Sequence, residues 1–483
     1  MIRNVIKKIL KESSLFYTSK EIINIIERVI EKGIILSPFN IGYPHYFPLV
    51  STKNKFIEYI KRNRRKIKNV ILYVHYPFCK KICPYCVCPS LPLKPFKNYA
   101  KNFLNLIENE VRIISRILNN IKIINVHFGG GTPQLLEIET LHRIIKSLKR
   151  KFSFDNNIYI EIEIYPDKYG IDKNFLKNLK DIGFNYISLG VESLRNSILK
   201  KMERRYTKDT VLEGIKNVLE LDLSLNIDLI IDYPEVNFNY LTDLINLISF
   251  LKNFKDNKEI FITLYNYSSK KRMNKIYSPK YSFLEDITKR ILFSFIVSNN
   301  FIKNNLFIRK GGPGIRFTFK KTTKSFPYEE IKINKEIFNG KTIQIGLGPL
   351  AETRYYDLNK VNPNPPQYFL NIKKRGLENI LFKKEKNISL EVSRFRLLLY
   401  WCYEAMLPPS LFQLLEDHLA CLEKLSLIEI KNKKVILNLS GIILKNGFIP
   451  FMYPKDRIFS EDYLYPLKLA KLFFNNLKNV DFN

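Results

Sequence analysis

Cysteine, histidine and tryptophan are scarce in this sequence, with 6, 5 and 1 among 483 residues. So few cysteines in so long a chain exclude the disulfide framework that stabilises small secreted domains, and we expect a reducing compartment. The sequence has no run of about 18 apolar residues, so we predict no membrane span. The first segment is basic and lacks the continuous apolar core of a secretory signal. We predict an ordinary first helix and a cytoplasmic protein; the alternative is a transit peptide to an organelle stroma or matrix.

Acidic residues are also few: 46 Asp and Glu stand against 79 Lys and Arg, and the formal net charge is +33. A charge of this size is typical of proteins that bind nucleic acids. The lysines, however, are spread along the whole chain among Ile and Asn, and no arm or repeat concentrates them. We therefore predict no nucleic-acid partner, and a basic surface that favours a small anionic substrate, such as one with several carboxylates.

From Val70 onward, short β-rich segments alternate with longer helical ones, which is the pattern of parallel βα units. Six such segments predict an α/β fold, a partial (three-quarter) TIM-like (β/α)6 barrel with an N-terminal helical extension and a C-terminal helical, winged-helix-like cap. The predicted strands are 70–76, 124–130, 158–165, 186–192, 225–231 and 260–267, with a loop at 310–317 and a hairpin at 427–439. The predicted domains are 1–68 (helical and irregular extension), 69–300 (barrel core), 301–389 (barrel edge and linker) and 390–483 (cap).

The third predicted strand, IYIEIEIY, alternates isoleucine with polar or aromatic residues. Period-two alternation places Glu161 and Glu163 on the same face of that strand. Because the outer face of a parallel barrel meets apolar helices, this polar face is predicted to point into the lumen. A lumen lined in this way would hold a polar ligand. The same parity adds Ser188, Gly190 and Glu192 on the fourth strand, and Asn226 and Asp228 on the fifth.

Four of the six cysteines lie within ten residues, in the stretch YVHYPFCKKICPYCVCP. Cys79, Cys83 and Cys86 have the spacing C-x3-C-x2-C directly after the first strand. Thiolates favour zinc and iron–sulfur clusters. Zinc usually takes paired ligand units, so this single loop would need a distant partner; a four-iron cluster held by three cysteines would keep one iron open. Cys402 and Cys421 lie far away in apolar helical surroundings and are predicted to be packing residues.

This cysteine spacing, followed by GGGTP at 129–133, resembles the radical SAM superfamily. In that family the open iron of a [4Fe-4S] cluster binds S-adenosylmethionine, and one electron cleaves it to methionine and a 5′-deoxyadenosyl radical. The segments YVHYPFC, GFNYISLGVES and NIDLII narrow the resemblance to the oxygen-independent coproporphyrinogen III oxidase and haem-chaperone subgroup, over roughly residues 70–270. The resemblance implies one or two molecules of S-adenosylmethionine, a small-molecule substrate such as a tetrapyrrole, and an electron donor such as flavodoxin or ferredoxin.

The resemblance also implies roles for single residues. Cys79, Cys83 and Cys86 would ligate the cluster. The glycines would let the backbone approach the methionyl group, and their amides could bind its carboxylate. A planar guanidinium suits a carboxylate of the cofactor. The implied cofactor contacts are Tyr73 (also a catalytic candidate), Tyr85 near the adenine, Gly130, Gly131 and Thr132 at the methionine, Glu163 at the ribose, Glu192 on the fourth strand, Arg204 at a carboxylate, and Asp228.

Several of these residues have plainer interpretations. Glu163 could be a paired lumen carboxylate, and Arg204 could be a surface residue of the charged run KKMERR. Tyr73 could serve only as lumen packing. His75 is interpreted as a hydrogen-bonding strand residue and not as a metal ligand.

Cys88 extends the spacing to C-x3-C-x2-C-x-C and resembles the extra cysteine of the porphyrinogen oxidases, which haem chaperones typically lack. We predict a non-ligand close to the active site, with a passive buried thiol as the alternative. Other positions depart from the oxidases: GYPHYFP (42–48) is a poor match to their RYTSYP-like segment, Glu192 replaces a glutamine, and DYP (232–234) replaces GLP.

The leading hypothesis is therefore a radical SAM oxidoreductase, with the oxidative decarboxylation of two propionates of coproporphyrinogen III in haem biosynthesis as the best candidate reaction. One alternative is a class C radical SAM methyltransferase or cyclopropanase that acts on an unsaturated substrate. The other is a haem-binding chaperone without turnover.

Overall fold

The structure is a computed structural model that describes most of the chain between residues 50 and 448. The described residues are 24, 28, 50–86, 88–233, 239–254, 259–267, 283–309, 314–320, 330–356, 358–368, 381–384, 391, 395, 398–399 and 403–448. The predictions for GYPHYFP, for Cys402 and for most of the N-terminal extension lie outside these residues.

Strands and helices are numbered in chain order over the described residues. The strands are β1 (Val50–Lys55), β2 (Asn69–Tyr76), β3 (Phe78–Cys79), β4 (Leu91–Pro92), β5 (Lys122–Gly130), β6 (Ser153–Ile164), β7 (Tyr186–Glu192), β8 (Ser224–Ile230), β9 (Ile260–Tyr265), β10 (Phe307–Arg309), β11 (Ile315–Thr318), β12 (Thr342–Leu347), β13 (Glu352–Tyr355), β14 (Leu358–Val361), β15 (Leu381–Lys384), β16 (Glu404–Met406), β17 (Ile428–Lys431) and β18 (Lys434–Leu437). The helices are α1 (Phe56–Asn63), α2 (Lys97–Lys101), α3 (Phe103–Ile117), α4 (Ile138–Lys151), α5 (Lys173–Ile182), α6 (Asn196–Lys201), α7 (Lys208–Glu220), α8 (Tyr240–Leu251), α9 (Phe283–Lys303), α10 (Glu330–Phe338), α11 (Pro409–Lys424) and α12 (Leu439–Phe448), with 3₁₀ turns at Lys94–Phe96 and Pro133–Leu135.

Among the described residues, a 13-stranded sheet that is parallel at its centre forms the core of the fold. Its order is β1-β15-β14-β13-β12-β2-β5-β6-β7-β8-β9-β11-β10. The strands from β12 to β9 in this order run parallel, and antiparallel strands extend both ends. The chain therefore has an α/β fold with a mostly parallel central sheet, as predicted.

All six predicted parallel strands are confirmed, from β2 to β9. Two other predictions were wrong. The segment 1–68 is not only helical and irregular, because Val50–Lys55 pairs with β15 at the edge of the sheet. The segment 310–317 is not entirely a loop, because Ile315 begins strand β11, which pairs with β9. Both strands are short or polar, and pairing with a neighbouring strand determines their structure more than their own composition does.

Crossover helices cover the outer face of the sheet, and local signals set their ends. The side chain of Asp172 caps α5 by accepting from Phe175 N at 2.8 Å. Gly183 ends that helix at φ +116°, a left-handed conformation that suits glycine. The isoleucines that alternate with the glutamates of β6 are almost fully buried in the same apolar cluster as the helix residues Leu141 and Ile144. The polar face of the sheet is thus the opposite one.

The C-terminal part combines α11, α12 and a separate three-stranded sheet in the order β16-β18-β17. The predicted hairpin is confirmed as the antiparallel pair β17 and β18. Helix α12 lies against α9, so this part packs on the end of the main sheet. Within the described residues, no helix is both long enough and apolar enough to cross a bilayer.

Candidate functional site

The four clustered cysteines lie on one loop that leaves β2 at its carboxyl end. The short parallel pair β3 and β4 closes this loop, with Cys79 opposite Pro92, and Leu93 N donates to Cys79 O at 2.8 Å. Cys86 N donates to Cys83 O at 3.1 Å, a tight turn that brings these two residues together. Cys79 is buried, Cys83 and Cys86 are half-buried, and Cys88 is exposed. Three thiols are thus gathered at the edge of the sheet where parallel strands end.

The thiol pKa values reflect this environment. Burial is the first cause that raises the pKa values of Cys79 and Cys83. The pKa of Cys86 is lowered to about 6, chiefly because the Cys88 side chain hydrogen-bonds to its sulfur. That same bond raises the pKa of Cys88. Cys88 is therefore a neighbour of the half-buried thiol Cys86. That it is not a ligand stays a prediction.

The donor set is compatible with an iron–sulfur cluster. Within the described part of the chain, no three His, Cys, Asp or Glu side chains are grouped to hold one metal ion. Three thiols on a single loop instead match the chemistry of a cluster, whose irons take one thiolate each. Thr132 Oγ1 donates to Cys79 Sγ at 3.4 Å, the kind of hydrogen bond to sulfur that tunes such clusters.

The imidazole of His75, on β2, bonds the cysteine loop through one ring nitrogen and a residue of its own strand through the other. Nδ1 lies 2.8 Å from Tyr73 Oη, and Nε2 lies 2.9 Å from the carbonyl oxygen of Pro89. Burial lowers the pKa of His75 to about 4, so the imidazole is neutral at physiological pH. The interpretation of His75 as a hydrogen-bonding strand residue is confirmed, and one of its two partners is the hydroxyl of Tyr73.

The GGGTP turn contacts the cysteine loop through its backbone. The amides of Gly131 and Thr132 donate to Tyr76 O at 2.7 Å and to Phe78 O at 3.1 Å, while Gly130 N donates to Glu163 Oε2 at 3.0 Å. The prediction that these amides are available for a ligand carboxylate was therefore wrong. The glycines instead let the backbone of this turn lie close to the backbone of the cysteine loop. A Cβ on Gly131 would lie only 2.7 Å from the backbone of Pro77.

A row of charged side chains crosses the polar face beside this turn. His127 lies between two carboxylates, with Nδ1 3.1 Å from Glu161 Oε2 and Nε2 2.9 Å from Glu163 Oε1. Although desolvation acts against it, the two glutamates raise the pKa of His127, so the ring is an imidazolium. Desolvation likewise opposes ionisation of Glu163, but hydrogen bonds from His127 and Gly130 lower its net pKa. Glu163 is thus paired with His127 on the polar face of the sheet, with 38% of its side chain still accessible.

Arg204 is buried and is not a surface residue. Its Nη2 donates to Glu192, and both side chains are about nine-tenths buried, at 9% and 12% exposure. The guanidinium lies 5.4, 5.0 and 5.7 Å from the ring centroids of Tyr85, Tyr165 and Tyr206. Its Nε finds no acceptor among the residues that the structure describes. A buried donor without a partner is uncommon in folded proteins and therefore marks Arg204 as a candidate site residue.

Glu192 occupies the end of β7 in a left-handed conformation, with φ +62°. A non-glycine residue in this region is strained, and such strain concentrates at functional sites. Burial is the first cause that raises the pKa of Glu192, although Arg204 acts in the opposite direction. The residue that replaces the family's glutamine is therefore a carboxylate whose charge depends on Arg204.

Asp228 lies in a hydrogen-bonded network on the next strands. It accepts from Ser188 Oγ at 2.9 Å and from Asn226 Nδ2 at 2.8 Å. Thr263 Oγ1 donates to Asn226 Oδ1 at 2.6 Å, and Arg316 Nε donates to Thr263 Oγ1 at 3.2 Å. Burial raises the pKa of Asp228 to about 7. The prediction that β6, β7 and β8 share one polar face is therefore confirmed.

His127 and Arg316 are the residues of this face that sequence reasoning missed. Strand parity could have revealed His127, because β5 pairs it with Glu161 and with Tyr73 of β2. Arg316 belongs to the segment that was interpreted as a loop. The departure DYP has a structural explanation, since Asp232 is fully buried in an ion pair with Arg290 at 2.9 Å. Cys421 is half-buried and packs against the main apolar cluster, as predicted.

Comparison with known proteins agrees with this arrangement. Residues 73–248 match the Radical SAM superfamily. The chain is 31% identical to the Heme chaperone HemW of Buchnera aphidicola (subsp. Schizaphis graminum) over 173 residues, 35% of this chain and 44% of that protein. It is 29% identical to the oxygen-independent coproporphyrinogen III oxidase of Salmonella typhimurium over 165 residues, 34% of this chain and 35% of that protein. The matched segment is thus less than half of either relative.

A solved structure extends the likeness to most of the fold. The structure of the coproporphyrinogen III oxidase (HemN) of Escherichia coli, described as a radical SAM enzyme, superposes with a TM-score of 0.63 and 18% identity. The superposition covers 84% of this chain and 97% of that one. At this identity the likeness concerns the fold alone.

Proposed function

Because residues 73–248 form a radical SAM domain, we propose that this protein is an enzyme that cleaves S-adenosylmethionine at a [4Fe-4S] cluster and oxidatively decarboxylates coproporphyrinogen III. The observation that carries the proposal is the thiol loop beside a polar sheet face, with Thr132 Oγ1 3.4 Å from Cys79 Sγ. The substrate is inferred from relatives named for this reaction, of which the chain matches only a part.

Cys79, Cys83 and Cys86 would hold the cluster, and the fourth iron would have no protein ligand. When bound, the cluster supplies the electron that cleaves S-adenosylmethionine and so generates the hydrogen-abstracting 5′-deoxyadenosyl radical. The protein orders the loop through His75 and the β3–β4 pair. Thr132 donates to one thiol, and the apolar packing of Cys79 excludes water from it.

The cofactor would lie between the GGGTP turn and the row of polar side chains on β6, β7 and β8. Glu163 keeps part of its carboxylate accessible, which suits ribose hydroxyls. Arg204 has an unused buried Nε beside Glu192 and Tyr85, which suits a carboxylate. The methionyl part would pack against Gly130, Gly131 and Thr132 without accepting hydrogen bonds from their amides, since those amides already donate to other protein atoms. Asp228 lies two strands from Glu163 and would face a second cofactor molecule or the substrate.

Tyr73 and Cys88 are the proposed catalytic residues. Tyr73 shares a hydrogen bond with neutral His75, so its hydroxyl has a fixed orientation on the polar face. Cys88 is exposed and lies beside Cys86 on the same loop. Its thiol hydrogen-bonds to the Cys86 sulfur. Oxidative decarboxylation removes one hydrogen, carbon dioxide and one electron from the propionate, which becomes a vinyl group, so neither residue donates a hydrogen to it. Tyr73 and Cys88 would instead contact and orient the propionate at the reacting position.

The finer architecture belongs to the same proposal. The parallel strands would form a partial barrel, with 390–483 as a winged-helix-like cap over its end. The proposed limits of the other domains are 1–68, 69–300 and 301–389. We also propose that the protein is cytoplasmic and receives electrons from a flavodoxin or ferredoxin. We propose no nucleic-acid partner.

A haem chaperone is the second candidate, because one of the matched relatives has that name. Cys88 favours the oxidase, whereas Glu192 in place of the family's glutamine does not. A chaperone would transfer haem without consuming S-adenosylmethionine.

The proposal is tested on protein reconstituted anaerobically with iron and sulfide. We expect about four irons per chain, and 5′-deoxyadenosine after addition of dithionite and S-adenosylmethionine. Cys83→Ala should lose both. Cys421→Ala, which removes a packing cysteine outside the loop, should retain both and serves as the matched control. Bound zinc, or equal loss in the two variants, would refute the cluster assignment.

The substrate is tested with coproporphyrinogen III in the same assay. Release of carbon dioxide that depends on S-adenosylmethionine supports the oxidase. Haem transfer without 5′-deoxyadenosine would identify the chaperone instead. Methylated product with S-adenosylhomocysteine would identify a methyltransferase.

A further inference from the structure

Three residues from neighbouring strands form a row across the polar face of the sheet. Thr263 of β9 pairs with Asp228 of β8 in parallel register and with Arg316 of β11 in antiparallel register. Residues paired in this way present their side chains to the same face. Arg316 and Asp228 are half-buried, whereas Thr263 between them is only 1% exposed. A cation and a carboxyl group therefore stand two strands apart, with a buried hydroxyl between them.

A chain of hydrogen bonds joins these two charged side chains. Arg316 Nε donates to Thr263 Oγ1 at 3.2 Å, and Thr263 Oγ1 donates to Asn226 Oδ1 at 2.6 Å. Asn226 Nδ2 then donates to Asp228 Oδ1 at 2.8 Å and to Ser188 Oγ at 2.9 Å. Ser188 Oγ donates in turn to Asp228 Oδ2 at 2.9 Å. Every bond of the chain thus runs from the guanidinium toward the carboxyl group.

The chemistry of the two ends fixes the direction of this chain. A guanidinium can only donate, so the Thr263 hydroxyl accepts from Arg316 and directs its own hydrogen to Asn226 Oδ1. The amide of Asn226 is thereby held with its NH₂ group toward Asp228, because the reversed amide would place an oxygen against the carboxylate. The ring of Phe261, with its centroid 5.9 Å from the guanidinium carbon, adds a cation–π contact to Arg316. Arg316 thus determines, through two intervening side chains, how Asp228 is held.

This arrangement leaves Asp228 able to accept from a ligand. An ionised carboxylate has about four lone-pair sites, and among the residues that the structure describes Ser188 and Asn226 occupy two of them. Both of these partners are neutral, so they orient the carboxylate without neutralising it. Branched aliphatic side chains fill the interior of an ordinary parallel barrel. A buried polar chain in their place is costly unless its accessible end has a ligand to bind.

We propose that Arg316 is a positioning residue that fixes, through this chain, the orientation in which Asp228 accepts from an N–H or O–H group of the bound ligand. The inference rests on the proposed function, which supplies two ligands with such groups. S-adenosylmethionine carries an ammonium group and ribose hydroxyls, and coproporphyrinogen III carries pyrrole N–H groups. Arg316 acts on either ligand only through Asp228.

The test measures ligand affinity at pH 8, above the pKa of about 7 of Asp228, where its carboxylate is ionised. Anaerobic calorimetry on the full-length reconstituted protein gives the Kd of S-adenosylmethionine and that of coproporphyrinogen III separately. Arg316→Met and Thr263→Val should each weaken binding of one of the two ligands about tenfold, and the affected ligand is the one that faces Asp228. Valine keeps the buried position filled, and Thr263→Ser, which keeps the hydroxyl, should retain most of the affinity. The matched control is Arg112→Met, which removes an exposed arginine of α3.

A double-mutant cycle separates positioning from a merely structural role. In the Asp228→Asn background, Arg316→Met should weaken binding no further, because its effect passes through Asp228. A full additional loss would overturn the inference, since Arg316 would then contact the ligand or support the fold by itself. Equal weakening by Thr263→Val and Thr263→Ser, or unchanged affinity of Asp228→Asn for both ligands, would overturn it as well. Ligand binding without 5′-deoxyadenosine in the unmodified protein would refute the proposed function alone.

Discussion

The imidazole of His75 joins the first parallel strand to the cysteine loop, with Nε2 2.9 Å from the carbonyl oxygen of Pro89. Pro89 follows Cys88 directly, so the contact anchors the end of the loop that carries the thiols. The other ring nitrogen bonds Tyr73, a proposed catalytic residue. A single buried and neutral side chain therefore positions both the proposed metal loop and a neighbour of the substrate.

The first prediction concerns the pH dependence that His75 confers on stability. Burial lowers its pKa to about 4, below the value of about 6.5 in the unfolded chain. As the pH falls through this window the unfolded chain takes up a proton that the folded protein resists, so stability is full above about 6.5 and is lost toward 4. His75→Asn should flatten this loss, by up to about 1.4 kcal/mol per pH unit. Urea unfolding of metal-free protein between pH 7 and 4.5 measures it.

At pH 7 the same variant should be less stable than the unmodified protein by about 1–3 kcal/mol, because the Pro89 carbonyl loses its donor. His142→Asn is the matched control, since His142 is exposed on α4. A pH slope unchanged by His75→Asn, or flattened equally by the control, would contradict this account.

A second prediction concerns His127 as a positioning residue for Glu163. Its imidazolium holds the Glu163 carboxylate at 2.9 Å and is itself held by Glu161. His127→Gln should weaken S-adenosylmethionine binding about tenfold, which is roughly 1.4 kcal/mol. The KM for S-adenosylmethionine should rise while kcat changes little, because the reacting atoms are not touched. If Glu163→Gln abolishes binding and His127→Gln leaves the KM unchanged, the positioning role is refuted.

A third prediction concerns the Arg204 and Glu192 pair. Arg204→Gln leaves a buried carboxylate without its cation and should destabilise the protein by about 3–5 kcal/mol. The double variant Arg204→Gln, Glu192→Gln should recover part of this loss, because no charge is then left unpaired. Arg204→Lys should not restore full stability, since an ammonium lacks the planar face that the three tyrosine rings contact. Urea unfolding of the unmodified protein, Arg204→Gln, Glu192→Gln and the double variant forms a double-mutant cycle, and simple additivity would contradict the coupling.

Period-two alternation predicted much of this site correctly. It placed Glu161, Glu163, Ser188, Asn226 and Asp228 on one face, and register and hydrogen bonds confirm this. Such reasoning succeeds because a strand leaves each side chain only two directions.

Local sequence patterns failed for residues whose hydrogen-bond or strand partners come from distant parts of the chain. The amides of Gly131 and Thr132 are engaged by Tyr76 and Phe78, residues that are more than fifty positions earlier in the chain. Arg316 follows a glycine-rich stretch that predicts a loop, yet pairing with β9 makes it part of a strand. His127 precedes the glycines in an apolar run, and its two acidic partners come from another strand. These contacts depend on tertiary structure, which local patterns do not encode.

The fourth prediction concerns Asp228, the carboxyl group whose pKa burial raises to about 7. In the unfolded chain this group ionises near 3.9. Between these values the folded protein retains a proton that the unfolded chain has released, so stability falls as the pH rises from about 4 to 7 and then levels off. Asp228→Asn keeps a neutral side chain between Ser188 and Asn226. The variant should match the unmodified protein near pH 4.5 and exceed its stability at pH 8.

Thermal unfolding at the two pH values measures this difference, with the exposed Asp181→Asn as the control. If Asp228 also contacts a bound cofactor, as proposed, Asp228→Asn should reduce the stabilisation that S-adenosylmethionine gives at pH 8. If the variant is more stable at pH 8 yet equally stabilised by S-adenosylmethionine, burial still accounts for the raised pKa of Asp228. Asp228 would then not contact the cofactor. A stability difference that does not change with pH would contradict the raised pKa itself.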